Sequence, residues 1–340
     1  VPATNAPTID VNPGELDVVG IGNALVDVLS HGSDELVDEL GLVKGSMNLI
    51  EADRVEVLYA RMGAGVEVSG GSAANTMAGL ASLGGTAQYL GKVRDDQLGA
   101  VFAHDLAATG VRYTTPRATD GPSTGCCLIL VTPDAQRTMN TYLGASVRFG
   151  PDDVDEEAVS SATVLYLEGY LFDPPEAQEA FRHAARVAHD AGRTVSVTLS
   201  DSFCVERHRD AFLDLVEHHV DLLFANEAEI TALYRTDFDA AVEGVRRHGA
   251  VAALTRSEKG SVIVTEDALV EVPAHPVQQL IDTTGAGDLY ASGFLYGFSH
   301  KMDLATCGAL GSLAAAEVIS HMGPRPETDL SVLARGILSA

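Results

Sequence analysis

Short runs dense in β-branched and apolar residues recur along this chain, with stretches of helical spacing between them. LDVVGIG (16–22) reads as a strand, and ANTMAGLASLG (74–84) carries apolar residues at helical spacing and ends in a glycine, a C-cap signal. TAQYLGKV, the helical QLGAVFAHDLAATG and the strand CCLILVT follow. ATVLYLEG, the helix PEAQEAFRHAARVAHDAG and RTVSVTLS come next, and HVDLLFAN, VAALTRS and SVIVTED continue the series. Strands alternating with helices of about 10–15 residues predict βαβ units, a mostly parallel sheet and an α/β fold.

Two windows break the rhythm. Residues 31–50 (HGSDELVDELGLVKGSMNLI) lie between a strand and the next helix. Residues 111–145 hold several strand-like pieces, with PDAQR as a hairpin turn between CCLILVT and TMNTYLG. These pieces suit either a small β-rich flap over the sheet or an edge extension of it. In a parallel sheet, ligands bind beyond the carboxyl ends of the strands. The loops to watch are therefore GIGNALVD, EGYLFD, SDSFC, ANEAE and TRSEKGS, with SGGSAAN just before a helix.

Length and charge narrow the function. A chain of 340 residues can enclose a pocket within one α/β domain and an attached subdomain. Its first 15 residues, VPATNAPTIDVNPGE, read as a flexible leader without the basic region and apolar core of an export signal. No apolar run approaches the roughly 20 residues that span a bilayer, so no membrane partner is expected. Cys126, Cys127, Cys204 and Cys307 lack metal-ligand spacing and suit buried thiols in a reducing cytoplasm. The formal net charge of −26 repels polyanions and argues against nucleic acid as a partner. It leaves room for a small anion held by local donors.

Several short stretches carry candidate chemistry. In DTTGAGD, the amides of Gly285, Ala286 and Gly287 stand at a helix start, where free N–H groups and the dipole favour an anion. Asp288 in the first turn could accept a proton from a hydroxyl attacking phosphorus, or simply cap the helix. In GGSAAN, Gly70 and Gly71 let backbone approach a ligand, Ser72 is a plausible cap, and Asn75 offers donors and an acceptor to hydroxyls. In GNALVD, Asn23 and Asp27 would share a face if the backbone turns helical after the first strand. Such an Asp could accept from two neighbouring hydroxyls.

Asn226 and Glu229 in ANEAE suit either hydrated Mg²⁺ or a capping box. TRSEKGS (255–261), with Thr255, Arg256, Glu258 and Gly260, suits either nucleotide phosphates or a hairpin turn. Arg137 is either a flap residue that closes over a reaction centre or a solvent-facing hairpin arginine. A P-loop and a GxGxxG after the first strand are both missing from the sequence, which weighs against P-loop NTPases and ordinary NAD-binding domains.

Taken together, SGGSAANTMAGLASLG, GKVRDDQLG, NEAE, TRSEKGS and DTTGAGDLYASGFLYG resemble, in order, the motifs of the ribokinase/PfkB family of carbohydrate and nucleoside kinases. The resemblance runs from about residue 16 to 325. It implies a ribokinase-like three-layer α/β/α sandwich over residues 16–340, with a β-rich lid supplied by the two irregular windows. It implies transfer of the ATP γ-phosphoryl group to a primary alcohol. Asp288 would be the base, Gly285 to Gly287 the anion hole, and Arg137 the arginine that closes onto the reaction centre. Asn23, Asp27, Gly70, Gly71, Ser72 and Asn75 would meet the acceptor. Asn226, Thr255, Arg256, Glu258 and Gly260 would meet the nucleotide. Glu229 would organise Mg²⁺ through water, and a K⁺ site is expected around Asp282. GIGNALVD, GGSAAN and QRTMNTYLGA are more similar to the adenosine kinase branch than to ribokinases. That implies phosphorylation of adenosine at its 5′-hydroxyl, against a lid wall of Met47, Leu49 or Tyr142, with fructose, ribose or another sugar as the alternative acceptor. Monomer and homodimer are both compatible with the family.

Overall fold

The computed structural model describes residues 14–134 and 136–339. The leader expected at 1–15 therefore lies, except for its last two residues, outside the described residues. In chain order the first strands are β1 (Leu16–Ile21), β2 (Leu25–His31), β3 (Met47–Leu49), β4 (Gly65–Gly70) and β5 (Ala87–Leu90). Next come β6 (Arg112–Tyr113), β7 (Gly125–Val131), β8 (Arg137–Tyr142), β9 (Ala162–Glu168) and β10 (Thr194–Thr198). β11 (Leu222–Asn226), β12 (Val251–Thr255), β13 (Ser261–Val264) and β14 (Leu269–Val272) complete the set.

They form two sheets. The larger has the order β14-β13-β12-β11-β10-β9-β1-β5-β6, parallel throughout except where β13 runs against β12 and β14. Its central strands are buried on both sides, which is why they read as continuous apolar runs. Helices cover both faces. On one, Pro175–Asp190 turns Ala177, Ala180, Phe181, Ala184 and Ala185 toward the sheet. On the other, Ser72–Ser82, Ala286–Ser299 and Leu304–Val318 pack together. The result is the expected three-layer α/β sandwich.

The smaller sheet has the order β3-β8-β7-β2-β4. β3, β7 and β8 fall within the two irregular windows, whereas β4 lies outside them, β2 does so except for His31, and β6 joins the larger sheet. The stretch after β1 is not helical, as the shared-face reading of positions 23 and 27 required. Val26 and Val28 alternate with Leu25, Asp27 and Leu29, and this period of two places the segment in a strand beside β7.

That alternation gives the small sheet two different faces. Val26, Val28, Cys126, Leu128 and Leu130 point outward and join the core with Leu58, Phe102 and Leu106. Leu29, Cys127, Ile129, Val131 and Met139 cluster on the other face, where Met322 from the body meets them. The pairing register puts Asp27 beside Cys127 and Arg137 beside Val131 on this second face. Met47 and Leu49 share it through their pairing with Met139 and Thr141. Tyr142 does not: it pairs with Cys126 and packs among the outward residues, because one step along a strand reverses the side.

Candidate active site

β1 and β9 are neighbours in the larger sheet although the chain continues from β1 to β5 on the opposite side. The crevice at their carboxyl ends is a topological switch point. Glu168 ends β9 there and is fully buried. Its Oε1 accepts the Asn23 backbone N–H at 3.1 Å and the Asn23 Nδ2 at 3.0 Å, while Oε2 accepts the Ala73 N–H at 2.8 Å. Burial pushes its pKa up to about 7, against the pull of these three donors toward the ionised form. Asn23 is thus occupied on both sides, since Ser146 Oγ donates to its Oδ1 at 2.8 Å. Sequence reasoning missed Glu168 as a residue; the only signal was its place in a loop following a strand.

Asp288 stands in the first turn of the helix Ala286–Ser299, whose N-cap Gly285 has φ 79°. A side chain at 285 would strain that backbone and meet Pro324, so glycine is required. The Ala286 N–H closes the turn onto Thr283 O at 3.2 Å, and the N–H groups that follow are first-turn donors without intrahelical partners. A Cβ at Gly287 would meet nothing within 4 Å, so the loop is open in front. The Asp288 carboxylate accepts from Ser72 Oγ at 2.6 Å and from Asn75 Nδ2 at 3.1 Å. Burial raises its pKa above the ordinary carboxylate value, opposed by those two donors and by Arg325. Ser72 is not the N-cap of its helix. Gly71 takes that place with φ 98°, where a Cβ would fall 2.2 Å from the Asn23 carbonyl oxygen, and the serine hydroxyl instead reaches Asp288.

Asp27 is also buried, yet its carboxylate makes no hydrogen bond among the described residues. Gly70 lies against it: a Cβ there would fall 2.5 Å from both carboxylate oxygens. Burial lifts the Asp27 pKa to about 6, moderated by Arg325 and Arg137 and reinforced by Asp288. Arg325 was invisible in the motifs. It follows the last strongly helical segment in a Gly-Pro loop, where nothing distinguishes it from a surface arginine.

Arg137 is buried rather than solvent-facing. Its Nη2 lies 2.9 Å from Asp282 Oδ2, an ion pair joining the small sheet to the anion-hole loop. None of its guanidinium nitrogens has an aligned hydrogen-bond acceptor among the described residues. Unspent buried donors of this kind fit an incoming phosphoryl oxygen. Asp282 is already filled: Oδ1 accepts from Thr284 N and Oγ1 at 3.0 and 2.7 Å, and Oδ2 from Gly323 N at 3.0 Å besides the arginine. A monovalent ion at this loop would have to rest on backbone carbonyls instead of this carboxylate.

The nucleotide-side candidates look different. Asn226 and Glu229 form a complete capping box, with Asn226 Oδ1 accepting from Glu229 N at 2.9 Å and Glu229 Oε2 accepting from Asn226 N at 3.0 Å. Glu229 Oε1 also accepts from Asn226 Nδ2 at 2.6 Å, and burial lifts its pKa to about 7. TRSEKGS is the turn of the β12–β13 hairpin: Gly260 has φ 85°, Arg256 pairs with Glu227 at 3.0 Å and lies 4.2 Å over the Phe238 ring, and Glu258 is exposed beside Thr255. No group of three or more His, Cys, Asp or Glu among the described residues could hold a metal directly. At a Mg²⁺ site here, Glu229 would bring a buried carboxylate whose two oxygens already accept from Asn226.

The model of the pfkB family carbohydrate kinases matches residues 40–329. The chain is 52% identical to the adenosine kinase of Sinorhizobium meliloti, whose crystal structure superposes with a TM-score of 0.88 over 95% of this chain and 99% of that one. A probable sugar kinase protein from Rhizobium etli gives 49% identity, a TM-score of 0.89 and the same coverage. The adenosine kinase of Saccharomyces cerevisiae is 27% identical over 330 residues, 90% of this chain and 96% of the yeast protein. With that match over most of its length, the chain belongs to the pfkB family of carbohydrate kinases and is an ATP-dependent phosphotransferase of that type, close to adenosine kinases in sequence and structure.

Proposed function

We propose that this kinase phosphorylates the 5′-hydroxyl of adenosine, with ATP as donor and AMP and ADP as products. The observation that carries the reading is Asp27, a largely buried residue whose carboxylate bonds to no described residue and keeps some contact with solvent. An acceptor-only group in that state calls for donors from outside, and the neighbouring hydroxyls of a ribose supply two. The apolar cluster of Leu29, Cys127, Ile129, Val131, Met139 and Met322 on the same sheet face offers a flat base a surface to lie on. The 52% identity to an adenosine kinase is in keeping with adenosine as acceptor, while the 49% identity to a probable sugar kinase makes a sugar the rival that the assay below separates.

In this reading the acceptor ribose is held by Asp27, with Gly70 and Gly71 at the pocket wall and Asn23 set in place by Glu168. Its primary hydroxyl lies against Asp288, whose two bonds from Ser72 and Asn75 leave lone pairs free for the hydroxyl proton. The proton passes to Asp288 as the oxygen bonds to phosphorus, and the ADP oxygen leaves with the electron pair. The Gly285 and Gly287 N–H groups and Arg137 meet the charge on the migrating group. The Ala286 N–H, which the motif led one to expect free, is turned to Thr283 instead. A Mg²⁺ carried by the nucleotide would supply further charge neutralisation there, with Glu229 holding it through water. Residues 255, 256, 258 and 260 flank the nucleotide. The four cysteines are buried and free, which supports a reducing, cytoplasmic setting.

The test is an ADP-release assay coupled to NADH oxidation, run with adenosine, other nucleosides, ribose and fructose. Adenosine should turn over fastest. Strong turnover of a free sugar with none of adenosine would replace the acceptor while keeping the kinase.

A further inference from the structure

We propose that Arg325 is a positioning residue for the phosphoryl-transfer site: it fixes the Asn75 amide so that its N–H side faces Asp288. The proposal rests on Asp288 being the proton acceptor, as read above. The geometry is a relay across distant parts of the chain. Arg325 Nε donates to Asn75 Oδ1 at 3.2 Å, and Asn75 Nδ2 donates to Asp288 Oδ2 at 3.1 Å. Arg325 Nη2 donates to Ser69 O at 2.7 Å and Ser69 Oγ at 2.9 Å, and Ser69 Oγ donates in turn to Asp105 Oδ2 at 2.5 Å. Asp105 also accepts the Ser69 N–H at 2.7 Å.

The chemistry makes each link directional. A guanidinium only donates, so it selects the oxygen of Asn75 and leaves the NH₂ group for the carboxylate. Without it, a rotated amide would present oxygen to an anionic Asp288. The planar fork also sends Nε and Nη2 to two elements in fixed, diverging directions, a geometry that donors on one ammonium nitrogen do not reproduce. One arm holds Ser69 at the end of β4, and the other holds Asn75 in the first turn of the following helix. Arg325 thereby fixes the spacing between the small sheet and the base. The charged and titratable groups around it are Asp105, Asp27, Tyr89 and Asp288, from four different elements. Its positive charge lowers the pKa of Asp27 and of Asp288.

The experiment uses the full chain, Mg-ATP and adenosine, or the acceptor that the ADP-release assay identifies. Arg325→Met should lower kcat by about 10- to 100-fold with KM for ATP within about twofold, the size of effect that misplacing a reacting group produces. Its acidic limb in the pH–rate profile should move to higher pH, because the guanidinium no longer opposes protonation of the two aspartates. Arg325→Lys restores charge without the fork, so its limb should return toward the parent's while kcat stays about tenfold low. If Arg325→Met does not fold, Arg325→Lys and Asn75→Ala decide the matter alone. Their double variant should be within about threefold of the worse single one, since both act through one contact. Multiplying losses in the double variant, or an Arg325→Lys enzyme within twofold of the parent, would overturn the assignment. Asp288→Asn serves as the control: if it keeps parental turnover, the base reading itself falls, whatever Arg325 does.

Discussion

The two sides of the cleft are held together in different ways. On the acceptor side, bonds run between residues far apart in the chain: Ser72 and Asn75 to Asp288, Asn23 and Ala73 to Glu168, Arg325 to Ser69. On the proposed nucleotide side, Asn226 and Glu229 bond to each other across three residues, and Arg256, at a hairpin turn, makes one longer-range pair, to Glu227 in the helix that this box caps. A local capping box or turn forms wherever its sequence occurs and says little about ligands. Buried polar groups gathered from several elements cost desolvation that local structure does not require, so a ligand is the better reason for them. Asp27 is the sharpest case, being gathered in and left unpaired.

This contrast can be broken by substitution. The largest effect is expected at the acceptor side: Asp288→Asn should lower kcat by about 100- to 10,000-fold, the range for losing a general base, while ATP still shifts thermal stability. Turnover within a few-fold of the parent would show that the gathered cluster is structural.

Asp27 should sharpen the contrast through pH. Its folded pKa of about 6 lies above the usual 3.8, so the folded state binds the proton more tightly than the unfolded chain. Stability from this group is greatest at low pH and falls as pH rises through about 6, by on the order of 2–3 kcal/mol. Asp27→Asn should flatten that part of the curve of melting temperature against pH. Acceptor binding has the opposite sign, because only the ionised carboxylate accepts two hydroxyls. For the parent, kcat/KM for adenosine should therefore drop below about pH 6. A flat profile from pH 5 to 8 would remove Asp27 from the acceptor site.

The smallest effect belongs to the hairpin. Arg256→Ala should cost at most about 1 kcal/mol, as expected for a partly exposed ion pair, with KM for ATP within about threefold. A tenfold or larger rise would mean that this turn contacts nucleotide directly and that the contrast is overdrawn.

The βαβ rhythm was readable because both faces of the large sheet are covered, so its strands stand out as unbroken apolar runs. The small sheet was harder. β2 and β4 sit beside motifs whose glycines and polar residues suggest loops, and only their pairing partners reveal strands: β7, about 100 residues on, for β2, and β2 itself, about 35–45 residues back, for β4. Asp288 and its glycine loop were legible since the chemistry and the sequence pattern coincide within seven residues. Glu168 and Arg325 were not. A buried ion's importance comes from what surrounds it, and those surroundings are assembled from distant segments. Ser72 illustrates a subtler failure: its residue type fitted a cap, but the left-handed Gly71 moved the helix start by one position and changed what the hydroxyl does.

The outward residues of the small sheet belong to the same continuous apolar cluster as Val18, Met77 and Phe294 of the main body. Any swing of this sheet against the body would have to break or slide those shared apolar contacts. Motion confined to strand tips and connecting loops would leave that packing intact.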